Sequence, residues 1–90
     1  MDYQSIEPFL DQEKRIKLLP AKKGKRVEVL RYLGSKFEIN RNYSEKEVNE
    51  IVDRWHVFGD YFLLRRELIM AEVLERTDDG SMYWKKNHSG

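Results

Sequence analysis

Ser44 stands three residues ahead of Glu47, and this pair pins down the start of a helix more tightly than anything else in the sequence. A serine hydroxyl there accepts from the Glu47 amide while the glutamate reaches back to the Ser44 amide, satisfying two otherwise unpaired donors. Tyr43 and Val48 occupy the flanking hydrophobic-staple positions. Val48, Ile51, Val52 and Trp55 then recur at i, i+3, i+4 and i+7, the spacing of one buried helix face.

The segment His56-Val57-Phe58-Gly59-Asp60 has room only for a sharp turn, with Gly59 free to take positive φ and Asp60 suited to cap the next helix. That second helix is predicted from Tyr61 to Ala71, with Tyr61, Leu64, Leu68 and Ala71 along one stripe. Val73–Thr77 and Met82–Lys85 flank Asp78-Asp79-Gly80-Ser81, which spells a β-hairpin. Upstream, helical periodicity runs from about Ala21 to Lys36 through Val27, Leu30, Leu33 and Phe37, with Gly34 weakening its last turn. Phe37–Asn40 reads as extended, and Arg41-Asn42 as a turn. Residues 4–11 can form one short helix with Pro8 in its first turn. Arg15–Leu19 alternates before Pro20, as a short edge strand does. Trp55 and Trp84 are expected in the core.

The 90 residues leave room for one domain, expected over 14–86, with an acidic helical segment at 1–13 and a frayed tail at 87–90. The net charge of +1 hides a strong segregation. Residues 1–13 carry four acids and no base; residues 14–36 carry nine bases against the single acid Glu28. Such a local excess attracts an anionic partner or neutralises acids elsewhere in the fold. With zero cysteines and two histidines, a disulfide framework, a thiolate zinc site, a cysteine nucleophile and an all-histidine metal site are excluded. There is no Gly-rich phosphate loop and no nucleophile elbow, so neither an enzyme nor a cofactor is expected. His56, near Asp53, reads best as a satisfied helix-end histidine. No apolar run approaches the roughly 20 residues that span a bilayer, and the acidic start is no signal peptide. A cytoplasmic protein without a membrane partner is the expectation.

From residue 21 the order is helix, strand, helix, tight turn, helix, strand, turn, strand. That order predicts an α+β fold: a winged helix-turn-helix-like three-helix core with a C-terminal hairpin wing, plus the short N-terminal helix and edge strand. Four pieces then carry a family resemblance: Arg15–Pro20, Ala21–Phe37, Tyr43–Glu50, and Leu64–Leu68 followed by Asp79-Gly80 and Tyr83. Together they resemble the prokaryotic domain of unknown function 2087 over roughly residues 14–86. That family occurs alone or attached to DNA-binding regulators, so the resemblance implies a link to bacterial transcription regulation. The matching positions are Pro20, Tyr43, Glu47, Val48, Arg65, Arg66 and Tyr83; the resemblance assigns none of them a role. The acidic helix at 1–11 lies outside it.

On the second helix of the pair, at about 100° per residue from Leu64, Arg66 falls near about 200° and Phe62 near about 160°, both away from the core stripe. Arg66 is the first candidate for a phosphate or a guanine edge, and Phe62 for a thymine methyl or a dimer contact. Arg65, at the margin of the stripe, is expected in a structural ion pair with Glu47, Glu50 or Asp53. Lys22, Lys23, Lys25 and Arg26 gather at a helix start, where free N–H groups and lysines suit a phosphate. Lys85 and Lys86 end the hairpin and can contact phosphates as wing residues do, or serve solubility alone.

Two functions fit. One is a weak, salt-sensitive duplex DNA binder of transcription regulation. The other is a protein-interaction or dimerisation domain, docking a second copy or another regulator, with Phe62 and Phe58 as its apolar centre. A small-ligand sensor is a third reading, disfavoured because so compact a core leaves little space for a pocket. The acids Glu45, Glu47, Glu50 and Asp53 on the first helix of the pair weigh against DNA.

Overall fold

A computed structural model describes residues 4–86. A short 3-10 helix, Gln4–Phe9, leads into α1 (Lys23–Gly34), β1 (Asn42–Tyr43), α2 (Glu45–Arg54), α3 (Tyr61–Met70), β2 (Leu74–Arg76) and β3 (Tyr83–Lys85). The three strands form one antiparallel sheet in the order β1-β3-β2. The chain is therefore α+β, with three α-helices and a three-stranded antiparallel sheet among the described residues. None of those helices is long and apolar enough to cross a membrane. The frayed tail expected at 87–90 lies outside the described residues.

The strongest local signals fold as read. Ser44 accepts from the Glu47 amide at 3.1 Å and Glu47 accepts from the Ser44 amide at 2.8 Å, closing the capping box. Gly59 takes φ +68, and Asp60 caps α3 by accepting from the Leu63 amide at 3.1 Å. Val48, Val52, Leu64 and Leu68 are fully buried and face α1 residues Val29, Leu30 and Leu33 in one core. Ile6, Leu10 and Ile16 belong to that same cluster, so the core runs across residue 13.

Four expectations are corrected. Arg15–Leu19 forms no strand: only Ile16 makes bridges, antiparallel to Leu10 and parallel to His56. A tight turn, with Lys14 at φ 66 and Asp11 accepting from the Arg15 amide, precedes it, and Pro20 follows, so a single residue can pair. Phe37–Asn40 turns rather than extends, because Asn40 takes φ 63 and the Glu38 amide donates to the Tyr43 hydroxyl at 2.7 Å. The strand comes instead at Asn42–Tyr43, where β3 is available as a partner. Finally, both tryptophans are only half-buried. Trp55 packs against the edge of the core, and Lys36 Nζ, 3.9 Å from its ring and 4.5 Å from the Tyr32 ring, lies over it. Burial lowers the pKa of that lysine. Trp84 lies across the sheet from Tyr83, which takes the core position.

Gly34 does more than weaken a helix end. A Cβ there would meet Val73 Cγ1 at 2.3 Å, so the glycine lets the end of α1 pass directly against the chain leaving α3.

Candidate nucleic-acid interface

The helical wheel of α3 fixes what its sides present. Leu64 and Leu68 point inward, and Arg66, Phe62 and Met70 outward, with Phe62 57% and Met70 67% exposed. Arg66 is exposed, and its side chain has no hydrogen bond or ion pair among the described residues. On one flank of this face, α3 and the hairpin turn enclose a cleft of about 330 Å³ in which Arg65, Arg66 and Arg76 meet. Two of the three guanidinium groups there are already engaged. Arg76 donates to the Thr77 and Asp78 carbonyls at 3.0 and 3.1 Å. Arg65 donates to Asn49 Oδ1 at 2.5 Å, lies 3.6 Å from Glu45 and 5.1 Å from the Phe62 ring centre.

Arg65 is thus the structural ion-pair residue expected, with a different carboxylate. Glu45 holds it, assisted by Asn49 one turn later, because the first turn of α2 is the part that crosses α3 at Arg65. Glu45 also accepts from the Tyr83 hydroxyl at 3.1 Å, tying the hairpin to both helices. Burial first, and then that carboxylate, raises the pKa of Tyr83. The three acids named in the sequence lie elsewhere. Glu47 closes the capping box, and the Ser44 amide lowers its pKa, with Arg41 3.8 Å away contributing less. Glu50 and Asp53 are exposed and have no partner among the described residues. The i, i+4 spacing of Glu45 and Asn49 is the signal that sequence reasoning passes over.

The basic cluster of α1 reaches the other flank. Arg26 approaches Glu67 of α3 at 3.9 Å, and Glu67 lies one residue from Arg66, on the side away from the hairpin. Lys25 is drawn back, to the Ser5 carbonyl at 3.4 Å and Glu28 at 3.9 Å. Lys22 and Lys23 are exposed and unpartnered among the described residues, and no side chain caps the helix start at which they stand. Arg66 therefore lies between the α1 start and the hairpin. Lys85 and Lys86 do not join this grouping. They sit at the base of the hairpin, where Lys86 binds Glu72 at 3.1 Å, whereas the tip carries the acids Asp78 and Asp79.

Among the described residues, no group of three or more His, Cys, Asp and Glu side chains is placed to hold a metal. His56 is buried, with both nitrogens used: Nε2 accepts from the Asp60 amide at 2.8 Å, so Nδ1 carries the proton it donates to the Val52 carbonyl at 2.6 Å. It is a structural pin of the α2–α3 turn.

Fold and surface together define a small α+β domain with a helix pair, a hairpin and an arginine on the outward face of α3. The family described as an uncharacterized protein conserved in bacteria (DUF2087) matches residues 15–85, and the chain belongs to it. Neither the curated proteins nor the solved structures contain a match to this chain.

Proposed function

We propose that this chain is a winged helix-turn-helix module of bacterial transcription regulation that binds duplex DNA weakly through the outward face of α3. The observation that carries this reading is Arg66, exposed and unpartnered between the α1 start and the hairpin. The order helix, strand, helix, helix, hairpin, with β1 pairing on the hairpin's free side, supports a winged arrangement. In that reading Arg66 reaches a guanine edge or a phosphate, Phe62 touches a thymine methyl, and Lys22 and Lys23 hold backbone phosphate at the start of α1. Arg26 and Lys25 serve mainly to position α1. Lys85 and Lys86, at the hairpin base, contribute long-range charge. With about three phosphate contacts, and with Glu67 and Asp79 nearby, affinity is weak and falls steeply with salt. Changing Arg66, Lys22 and Lys23 together to alanine should abolish a salt-sensitive mobility shift of duplex DNA. An unchanged shift would remove this reading.

A docking or dimerisation domain is the second reading, favoured by the apolar character of the same face: Phe62, Leu63 and Met70 are 57%, 36% and 67% exposed. Phe58, the other aromatic expected there, packs edge-on against His56 at 4.7 Å and is less free to dock. Light scattering separates the two readings: a tight dimer indifferent to DNA favours docking.

A further inference from the structure

The cleft between α3 and the hairpin turn has two unlike sides. Phe62, Ile69 and Met70 line its α3 side, and the hairpin closes the other. Strand alternation places Arg76 on the helix-facing side of β2 with the buried Leu74, opposite Tyr83 of β3. Gly80 keeps this end clear. A Cβ there would lie 3.7 Å from Arg76 Nη1, 3.8 Å from Glu45 Oε1 and 3.9 Å from the Tyr83 hydroxyl, so these polar groups converge beside a residue without a side chain. At about 330 Å³ the cleft stands at the low end of small-molecule sites.

Its charge is specific. Arg65, Arg66 and Arg76 stand against Glu45 and Asp79, three cations to two acids. Both acids are spent on the fold. Glu45 holds Arg65 and the Tyr83 hydroxyl, and Asp79 holds the Ser81 amide and the Thr77 hydroxyl. Arg65 uses both of its terminal nitrogens, on Asn49 and Glu45. Arg76 uses only Nη1, on the Thr77 and Asp78 carbonyls, and its other side-chain N–H groups have no partner among the described residues. The Arg66 guanidinium uses none. One positive charge is left over, with free donors from α3 and from β2 to meet its counter-charge.

We propose that this cleft binds a small apolar monocarboxylate, its carboxylate held by Arg66 and Arg76 and its body against Phe62, Ile69 and Met70. A guanidinium fork matches two carboxylate oxygens. The single uncompensated charge suits one negative charge, whereas a dianion would meet Glu45 and Asp79 with charge to spare. The apolar wall rewards a ligand with surface to bury, which a bare inorganic anion lacks. A ligand there occupies Arg66 and so releases duplex DNA; that consequence, unlike the site, rests on the DNA reading above.

NMR on the labelled full chain tests the site by following the Arg66 and Arg76 Nε–Hε signals and the Met70 methyl. The titrants are phenylpropionate, its neutral amide and inorganic phosphate. Phenylpropionate should shift these signals saturably, and the amide and phosphate should bind at least about tenfold more weakly. Arg66→Gln and Arg76→Gln should each weaken phenylpropionate binding about tenfold, while Lys22→Ala with Lys23→Ala should leave it unchanged. Absence of a saturable shift, equal binding of the amide or of phosphate, or undiminished binding in Arg66→Gln, whose side chain supports nothing in the fold, would overturn the proposal. Fluorescence anisotropy with labelled duplex separates the two claims, since phenylpropionate should displace the duplex. Bound phenylpropionate that leaves duplex affinity intact would remove the DNA contact at Arg66 and keep the site. Duplex binding without any phenylpropionate binding would remove the site and keep that contact.

Discussion

The Arg26 guanidinium lies 3.9 Å from the Glu67 carboxylate, and this contact sets the start of α1 beside the outward face of α3. It also leaves a negative charge next to Arg66. Both side chains retain some solvent contact, so the pair contributes no more than about 1 kcal/mol to stability. Glu67→Gln should therefore leave the unfolding midpoint nearly unchanged while tightening duplex DNA binding about threefold at low salt. Fluorescence anisotropy with labelled duplex measures this. Weaker binding by the variant would count against α3 as the contact face.

His56 joins α2 to α3 through its ring, accepting from the Asp60 amide and donating to the Val52 carbonyl. His56→Leu leaves both backbone groups without their partner. It should cost about 1–3 kcal/mol in urea unfolding. A loss below about 0.5 kcal/mol would show that the turn does not depend on the imidazole.

Gly34 is a close-approach position, since an added Cβ would fall 2.3 Å from Val73 Cγ1. Alanine gains up to about 1 kcal/mol over glycine inside a helix. Against this, valine is stiff about χ1 and Val73 is buried, so it has little room to yield. Gly34→Ala should therefore destabilise by about 1–3 kcal/mol. Adding Val73→Ala should make the double variant less unstable than the sum of the two single changes.

Asp79 organises the hairpin tip by accepting from the Ser81 amide at 3.0 Å and the Thr77 hydroxyl at 2.8 Å. The Ser81 amide bond leads in lowering its pKa from the ordinary 3.8 to about 2. Because the folded value is the lower one, the stabilisation is complete above the unfolded value and is lost as pH falls toward about 2. Asp79→Asn should flatten stability against pH between about 4 and about 2 relative to the native chain. Identical acid limbs in the two unfolding series would show that Asp79 does not hold the turn.

What the sequence reveals is chiefly local. The Ser44–Glu47 box, the Gly59–Asp60 turn and the Asp79-Gly80 hairpin each depend on residues within a few positions of one another, so reading along the chain finds them. β1 is hidden because its partners, Tyr83 and Trp84, lie some forty positions further on, while the nearer Phe37–Asn40 looks more strand-like. Glu45 escapes notice as the partner of Arg65 because the crossing of α2 over α3 selects among four acids that the sequence leaves equivalent. Size alone sends Trp84 to the core. With Tyr83 turned inward, two-residue alternation already directs Trp84 outward. The unpartnered state of Arg66 is legible from the wheel in direction only; that Arg65 and Arg76 are occupied and Arg66 free depends on the tertiary contacts.

The central claim is that α3 presents Arg66 to duplex DNA beside the start of α1, and backbone amide shift mapping on adding a generic duplex at low salt tests it most directly. The account predicts perturbations concentrated at Phe62, Arg66, Lys22 and Lys23, fading as salt is raised. An unperturbed spectrum, or shifts confined to the acidic outer side of α2 around Glu50 and Asp53, would contradict it.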